Sequence, residues 1–151
     1  MAALLGDKNI GDIVKIAENG TPVEFIIIHK GNPKASMYSS PSVSLDLYVW
    51  VVRKNSLNTD DYWNFSPFED RTNDYENSTI RDFLNNTYKI QLDERVRARI
   101  PYVRIPFYKN DSNEVFSGNK GLSVPIFLLS VYEVGFTTAD DKAIFLLMVQ
   151  N

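Results

Sequence analysis

The chain has 151 residues, with 16 Lys and Arg against 19 Asp and Glu, a formal charge of −3, and 13% aromatic residues. That length suits a single domain spanning 1–151, able to bury about two-thirds of the surface its unfolded form exposes. The acidic balance disfavours a sequence-independent nucleic-acid binder, which needs a positive face to displace counterions from phosphates. With no cysteine, disulfides, thiolate nucleophiles and sulfur-ligated metal sites are excluded.

The first residues, Met1 to Asp7, lack the basic start and apolar core of a secretory signal. No apolar run approaches the roughly 20 residues of a membrane span. The expected location is therefore the cytoplasm or a particle assembled there, without membrane contact. Five N-x-Ser/Thr triplets, beginning at Asn19, Asn64, Asn77, Asn85 and Asn110, read as chance in an Asn-rich chain.

Ile13 to Ala17 and Val23 to Lys30 flank Asn19-Gly20, the dipeptide that best accepts positive φ, and together predict a β-hairpin. Ile26-Ile27-Ile28 makes its second strand apolar on both faces, as a central strand would be. Gly31 to Ser44, with Pro33, Pro41 and five Ser, predicts a surface loop. Leu45 to Arg53 predicts the next strand. Tyr62, Trp63, Phe65 and Phe68 place four aromatics in seven residues with neither helical nor strand period. They are the expected ligand-binding residues, as a contact surface or as stacking faces for sugar rings, against the plainer expectation that they seal the core.

Tyr75 to Asn86 predicts a short amphipathic helix, with Asn77 or Ser78 as N-cap, Ile80, Phe83 and Leu84 on one face, and Asn85-Asn86 as its stop. Leu92 to Ile100 predicts a second helix, ended by Pro101. Val103 to Phe107 alternates as a strand that Pro106 breaks or confines to an edge. Lys109 to Lys120 reads as a polar loop, Leu122 to Val131 as one apolar strand, Val131 to Gly135 as a further helical turn, and Ala143 to Val149 as a closing strand. Strands, two short helices, then strands give an α+β class with a mostly antiparallel sheet.

Reactive constellations are sparse. His29 is the only histidine and follows three isoleucines with no nucleophile motif nearby, so it reads as structural. Asn110 to Glu114 and Asp140-Asp141 lack the spacing of a calcium loop, and Ser117 to Gly121 lacks that of a phosphate loop. Arg95, Arg97, Arg99 and Arg104 form the densest positive cluster; it reads as a solvated face, with an acidic partner or phosphate as the alternative. No cofactor, no metal and no catalytic residue is expected.

Asn73 to Thr87, Val103 to Pro106 and Gly121 to Phe136 resemble a domain family of unassigned function found in gut and clostridial Firmicutes and their phages and prophages. The likeness spans residues 10–138, and residues 139–151 diverge as a C-terminal strand. It implies a C-type-lectin-like fold, the scaffold also used by formylglycine-generating enzymes, here without the family's usual C-terminal half. The enzymes' cysteine is missing, so their activity is not implied. The resulting expectation is a non-enzymatic, phage- or prophage-derived structural or attachment protein. It would act by protein–protein contact or by self-association through the C-terminal strand, the alternative being a module that binds carbohydrate or another small ligand.

Overall fold

The computed structural model describes residues 5–55, 57, 75–108, 114–129 and 145–150, and among these residues the chain forms nine strands and a few short helical segments. Strands β1 (Ile13–Glu18), β2 (Thr21–Lys30), β3 (Tyr48–Arg53), β8 (Ile126–Leu128) and β9 (Phe145–Gln150) form one antiparallel sheet in the order β1-β2-β3-β9-β8. Strands β4 (Val103–Ile105) and β7 (Leu122–Val124) form a two-stranded sheet, as do β5 (Phe107–Tyr108) and β6 (Val115–Phe116). The α+β class and the antiparallel pairing are as expected.

The hairpin turns on Asn19 and Gly20, with φ of 48° and 80°, the pair of left-handed residues that matches a tight turn to the twist of its strands. β2 lies between β1 and β3. Its Phe25 and Ile27 are buried on one face, and Ile26 and Ile28 pack on the other. At Ile28 the register shifts between Ile27↔Val51 and His29↔Trp50, a bulge in an otherwise regular ladder. The strand expected from Leu45 starts at Tyr48, after a single 3-10 turn at Leu45–Leu47.

Alternation along β3 divides the core. Val49 and Val51 join Ile16, Phe25, Ile27 and Ile126 on the face covered by Ile80, Leu84, Tyr88 and Leu92 of the helical segment. Tyr48, Trp50 and Val52 join Phe127 on the opposite face, against Val103, Ile105, Leu122 and Val124 of the β4-β7 sheet. The result is three layers: helix, five-stranded sheet, small sheet. Trp50 anchors the second cluster, edge-on to Tyr38 and Phe127 at ring separations of 5.3 and 5.9 Å, its indole N–H donating to the Gly31 carbonyl at 2.7 Å. Burying such a side chain contributes about 1.5–3 kcal/mol.

The helical segment runs further than its sequence suggests. Ser78 is the N-cap of α1 (Thr79–Asp82), its hydroxyl oxygen accepting from the Arg81 N–H. Asn85-Asn86 does not stop the helix. The Asn85 side chain donates back to the Arg81 carbonyl at 2.8 Å and that of Asn86 to Asp82 Oδ1 at 2.6 Å. Both side chains thus grip the preceding turn, and the chain continues through a π-helical stretch, Phe83–Tyr88, into α2 (Lys89–Gln91). The second helix shortens to α3 (Glu94–Arg97), capped by Asp93, because Leu92 bridges to Glu18 of β1.

Proline sets two further boundaries. Pro106 separates β4 from β5, as expected. Pro125 divides the run read as one strand into β7 and β8, which belong to different sheets. A residue without an N–H cannot carry a ladder through, so the chain changes layers there. The loop read at 109–120 contains β6 and a 3-10 turn at Gly118–Lys120. Gly121 lies where an added Cβ would come within 2.7 Å of the Ile105 carbonyl oxygen, so only glycine allows β4 and β7 their spacing.

The C-terminal strand is found close to where the sequence places it. β9 sits inside the sheet, paired with β3 through Trp50↔Met148 and with β8 through Phe127↔Leu146. The aromatic stretch of Tyr62, Trp63, Phe65 and Phe68, the turn expected at 131–135, and the acidic turns at 110–113 and 140–141 lie outside the described residues.

Candidate functional site

Among the described residues β8 is an edge of the main sheet, and its outward-facing backbone groups need partners. The Ile126 N–H donates to Asn85 Oδ1 at 3.1 Å and the Leu128 N–H to the Tyr75 hydroxyl at 3.2 Å. Two side chains of the helical segment thus stand in for a sixth strand. The consequence is a cleft where that segment meets the β7-β8 corner.

Arg81, Asp82, Asn85 and Asn86 form one wall of this cleft, which encloses about 160 Å³. Ser123, Val124 and Pro125 of the β7-β8 corner and Tyr102 complete its lining. The cleft is smaller than the roughly 300–1,000 Å³ of sites that enclose drug-sized ligands, so it suits one ring or the end of a longer chain. A π-helical stretch borders it, and such local widening of a helix often accompanies a functional site.

The cleft groups differ in what they have left to offer. Asn85 is occupied at both ends of its carboxamide. Asp82 uses Oδ1 for Asn86, and its Oδ2 has no partner among the described residues; the same is true of Asn86 Oδ1 and the Ser123 hydroxyl. Arg81 donates from Nη1 to the Glu76 carbonyl at 3.0 Å, while its buried Nε has no partner. Tyr102 is 52% exposed, and its ring carries the Lys89 ammonium at 5.5 Å from its centroid, within cation–π range.

A second polar cluster is buried and already complete. Glu18 accepts from Arg53 Nε at 2.9 Å and Nη2 at 3.1 Å, and from the Tyr88 hydroxyl. It ties β1, β3 and the helical segment together. The carboxylate beside Arg53 raises the guanidinium pKa, and burial followed by the hydrogen bond to Glu18 pushes the Tyr88 phenol far above its usual range. With every charge matched, this cluster reads as structural.

The sequence did not single out the cleft. Asn85-Asn86 read there as the stop of a helix, and Ser123 lay within a run read as one apolar strand. Of the expected positive cluster, Arg104 pairs across strands with Ser123, while Arg95 is bonded to Asp93 and Arg97 to the Ile90 carbonyl. Among the described residues, no group of three or more Asp, Glu or His side chains is placed to hold a metal ion. No described helix is long and apolar enough to cross a membrane.

No curated protein and no solved structure matches the chain. Residues 48–148 match a family described as a domain of unknown function, DUF6273. The matched span starts at β3, ends within β9 and holds every residue of the cleft, and the chain belongs to this family.

Proposed function

We propose that the domain is a non-enzymatic recognition module, C-type-lectin-like and phage- or prophage-derived, that attaches to its target through a saccharide seated in the cleft. One observation carries the reading: half-exposed Tyr102 shares a single polar cleft with the open groups of Asp82, Asn86 and Ser123. A sugar presents an apolar C–H face beside an edge of hydroxyls that donate and accept. A ring to stack on, a carboxylate, a carboxamide and a hydroxyl are its complement. The phage origin and the lectin-like build are supported by the resemblance over residues 10–138.

The test is retention on an immobilised glycan panel, with Tyr102→Ala beside the parent chain. Retention that Tyr102→Ala abolishes at an unchanged thermal midpoint supports the reading. Absence of retention on every glycan, or retention indifferent to Tyr102, overturns it.

Protein contact has a separate support at the other edge of the sheet. Among the described residues, no backbone group pairs with the outer side of Ile13 to Lys15, and Ile13 is 46% exposed there. An added strand fits such an edge. Self-association through β9 would instead require that strand to leave β3 or β8. Light scattering over a range of concentrations, with Ile13→Lys as the comparison, tests the edge: a mass that rises with concentration only in the parent chain supports it.

A further inference from the structure

Two rows of side chains cross the main sheet and end at β1. The register pairs Ile13 with Ile26 and Ile26 with Val52, and beside that row it pairs Lys15 with Glu24. Lys54 continues the second row: its N–H donates to the Glu24 carbonyl at 3.0 Å and its ammonium to Glu24 Oε2 at 2.8 Å. Directly opposed residues leave a sheet on the same face, so an apolar row lies next to a row of alternating charge, plus, minus, plus. The hydrogen bond and charge of Lys54, and then the charge of Lys15, hold the Glu24 carboxyl below its ordinary pKa. Exposed at the outer end of the row, Lys15 has no carboxylate within ion-pair distance among the described residues.

The backbone fixes how a strand can join. The Ala17 carbonyl points away from β2 and accepts from the Asp93 N–H at 2.9 Å, and backbone groups alternate in direction along a strand, so those of Ile13 and Lys15 point outward too. Resting on the protein-contact reading of this edge, we infer that its occupant is a short antiparallel strand of another protein, with an acidic residue opposite Lys15 and an apolar one opposite Ile13. One residue separates the two in that strand, and the acid comes first. The acid extends the alternation of the charged row, and the apolar residue covers half-exposed Ile13. A second copy is a poorer occupant. Antiparallel pairing of two β1 strands sets Lys15 opposite Gly11, Ile13, Ala17 or the other Lys15, none of them an acid. An edge lysine thus discourages pairing between copies while admitting a partner of opposite charge.

Amide chemical-shift titration with the end-capped peptide Thr-Glu-Thr-Val-Thr, beside its counterpart carrying Lys in place of Glu, separates the outcomes. Shifts at the Ile13 and Lys15 amides, with the acidic peptide bound about fivefold more tightly, the worth of one cross-strand charge pair, support the inference. Lys15→Gln should erase that preference, Lys15→Glu should reverse it, and added salt should weaken it. Equal affinity for the two peptides overturns the acidic partner while leaving the edge as a contact site. So does a mass that rises with concentration until copies exclude the peptide, the occupant then being a second copy. Binding of neither peptide, with no pairing of copies, overturns both the inference and the edge reading beneath it. Shifts confined to residues away from β1 also overturn the inference.

Discussion

Replacing Glu18 with alanine removes the carboxylate on which Arg53 and Tyr88 converge among the described residues. The two side chains of the ion pair are 13% and 9% exposed and meet through contacts of 2.9 and 3.1 Å. Breaking a buried pair by removing one partner costs about 3–5 kcal/mol, because the other charge is stranded. The network lies near the rim of the core, so the lower end applies, about 3 kcal/mol. Leaving the buried Tyr88 hydroxyl without its acceptor adds about 1 kcal/mol. A total near 4 kcal/mol, at a urea dependence of about 2 kcal/mol per molar, lowers the unfolding midpoint by about 2 M. Equilibrium urea denaturation followed by Trp fluorescence measures it. Arg53→Ala together with Glu18→Ala should cost less than the two single changes added, since the double variant strands no charge. A midpoint shift under about 0.5 M for Glu18→Ala, at an unchanged slope, would refute the reasoning and make the cluster a surface ion pair in effect.

The remaining predictions concern the same segment. Tyr88 titrates in the unfolded chain near its ordinary value of 10.0 and well above that when folded. The unfolded state therefore loses its proton first, and stability is level below pH 10 and falls as the pH rises past it. Tyr88→Phe should remove that component of the decline in urea midpoints measured between pH 9 and 11, and an unchanged decline would count against it. Tyr75→Phe leaves the Leu128 N–H without its acceptor, at a cost of about 1–3 kcal/mol. Amide exchange should accelerate at Leu128 more than at Ile126, whose partner is Asn85; equal acceleration would mean global rather than local loosening.

The hairpin was legible because Asn19-Gly20 determines its turn locally, whatever lies around it. Pro106 was legible for the same reason. Pro125 was not. Leu122 to Val124 and Ile126 to Leu128 are both apolar, so nothing in the sequence announces that they face different layers until the positions of β4 and β9 are known. Asn85-Asn86 misled in the opposite way, since Asn stops a helix only when its backbone turns left-handed, and here the carboxamides bond back along the helix. The cleft was illegible because Arg81 and Ser123 are brought together by the packing of the helix against β8, and each alone is an ordinary polar position.

The place of β9 bears on how the chain folds as well as on what it looks like. β3 meets β2 across a short span of chain, whereas Trp50 pairs with Met148 from close to the far end of the sequence. Pairings so distant in sequence are slow, because closing the long loop precedes any gain from contact. Until β9 arrives, β3 and β8 each present an open ladder to solvent, and an apolar strand such as Val49 to Val52 is then the natural template for another molecule's strand. The domain's exposure to aggregation should therefore be governed by the rate at which its last strand inserts, and a chaperone or a slow step at that insertion would change yield without changing the stability of the finished fold.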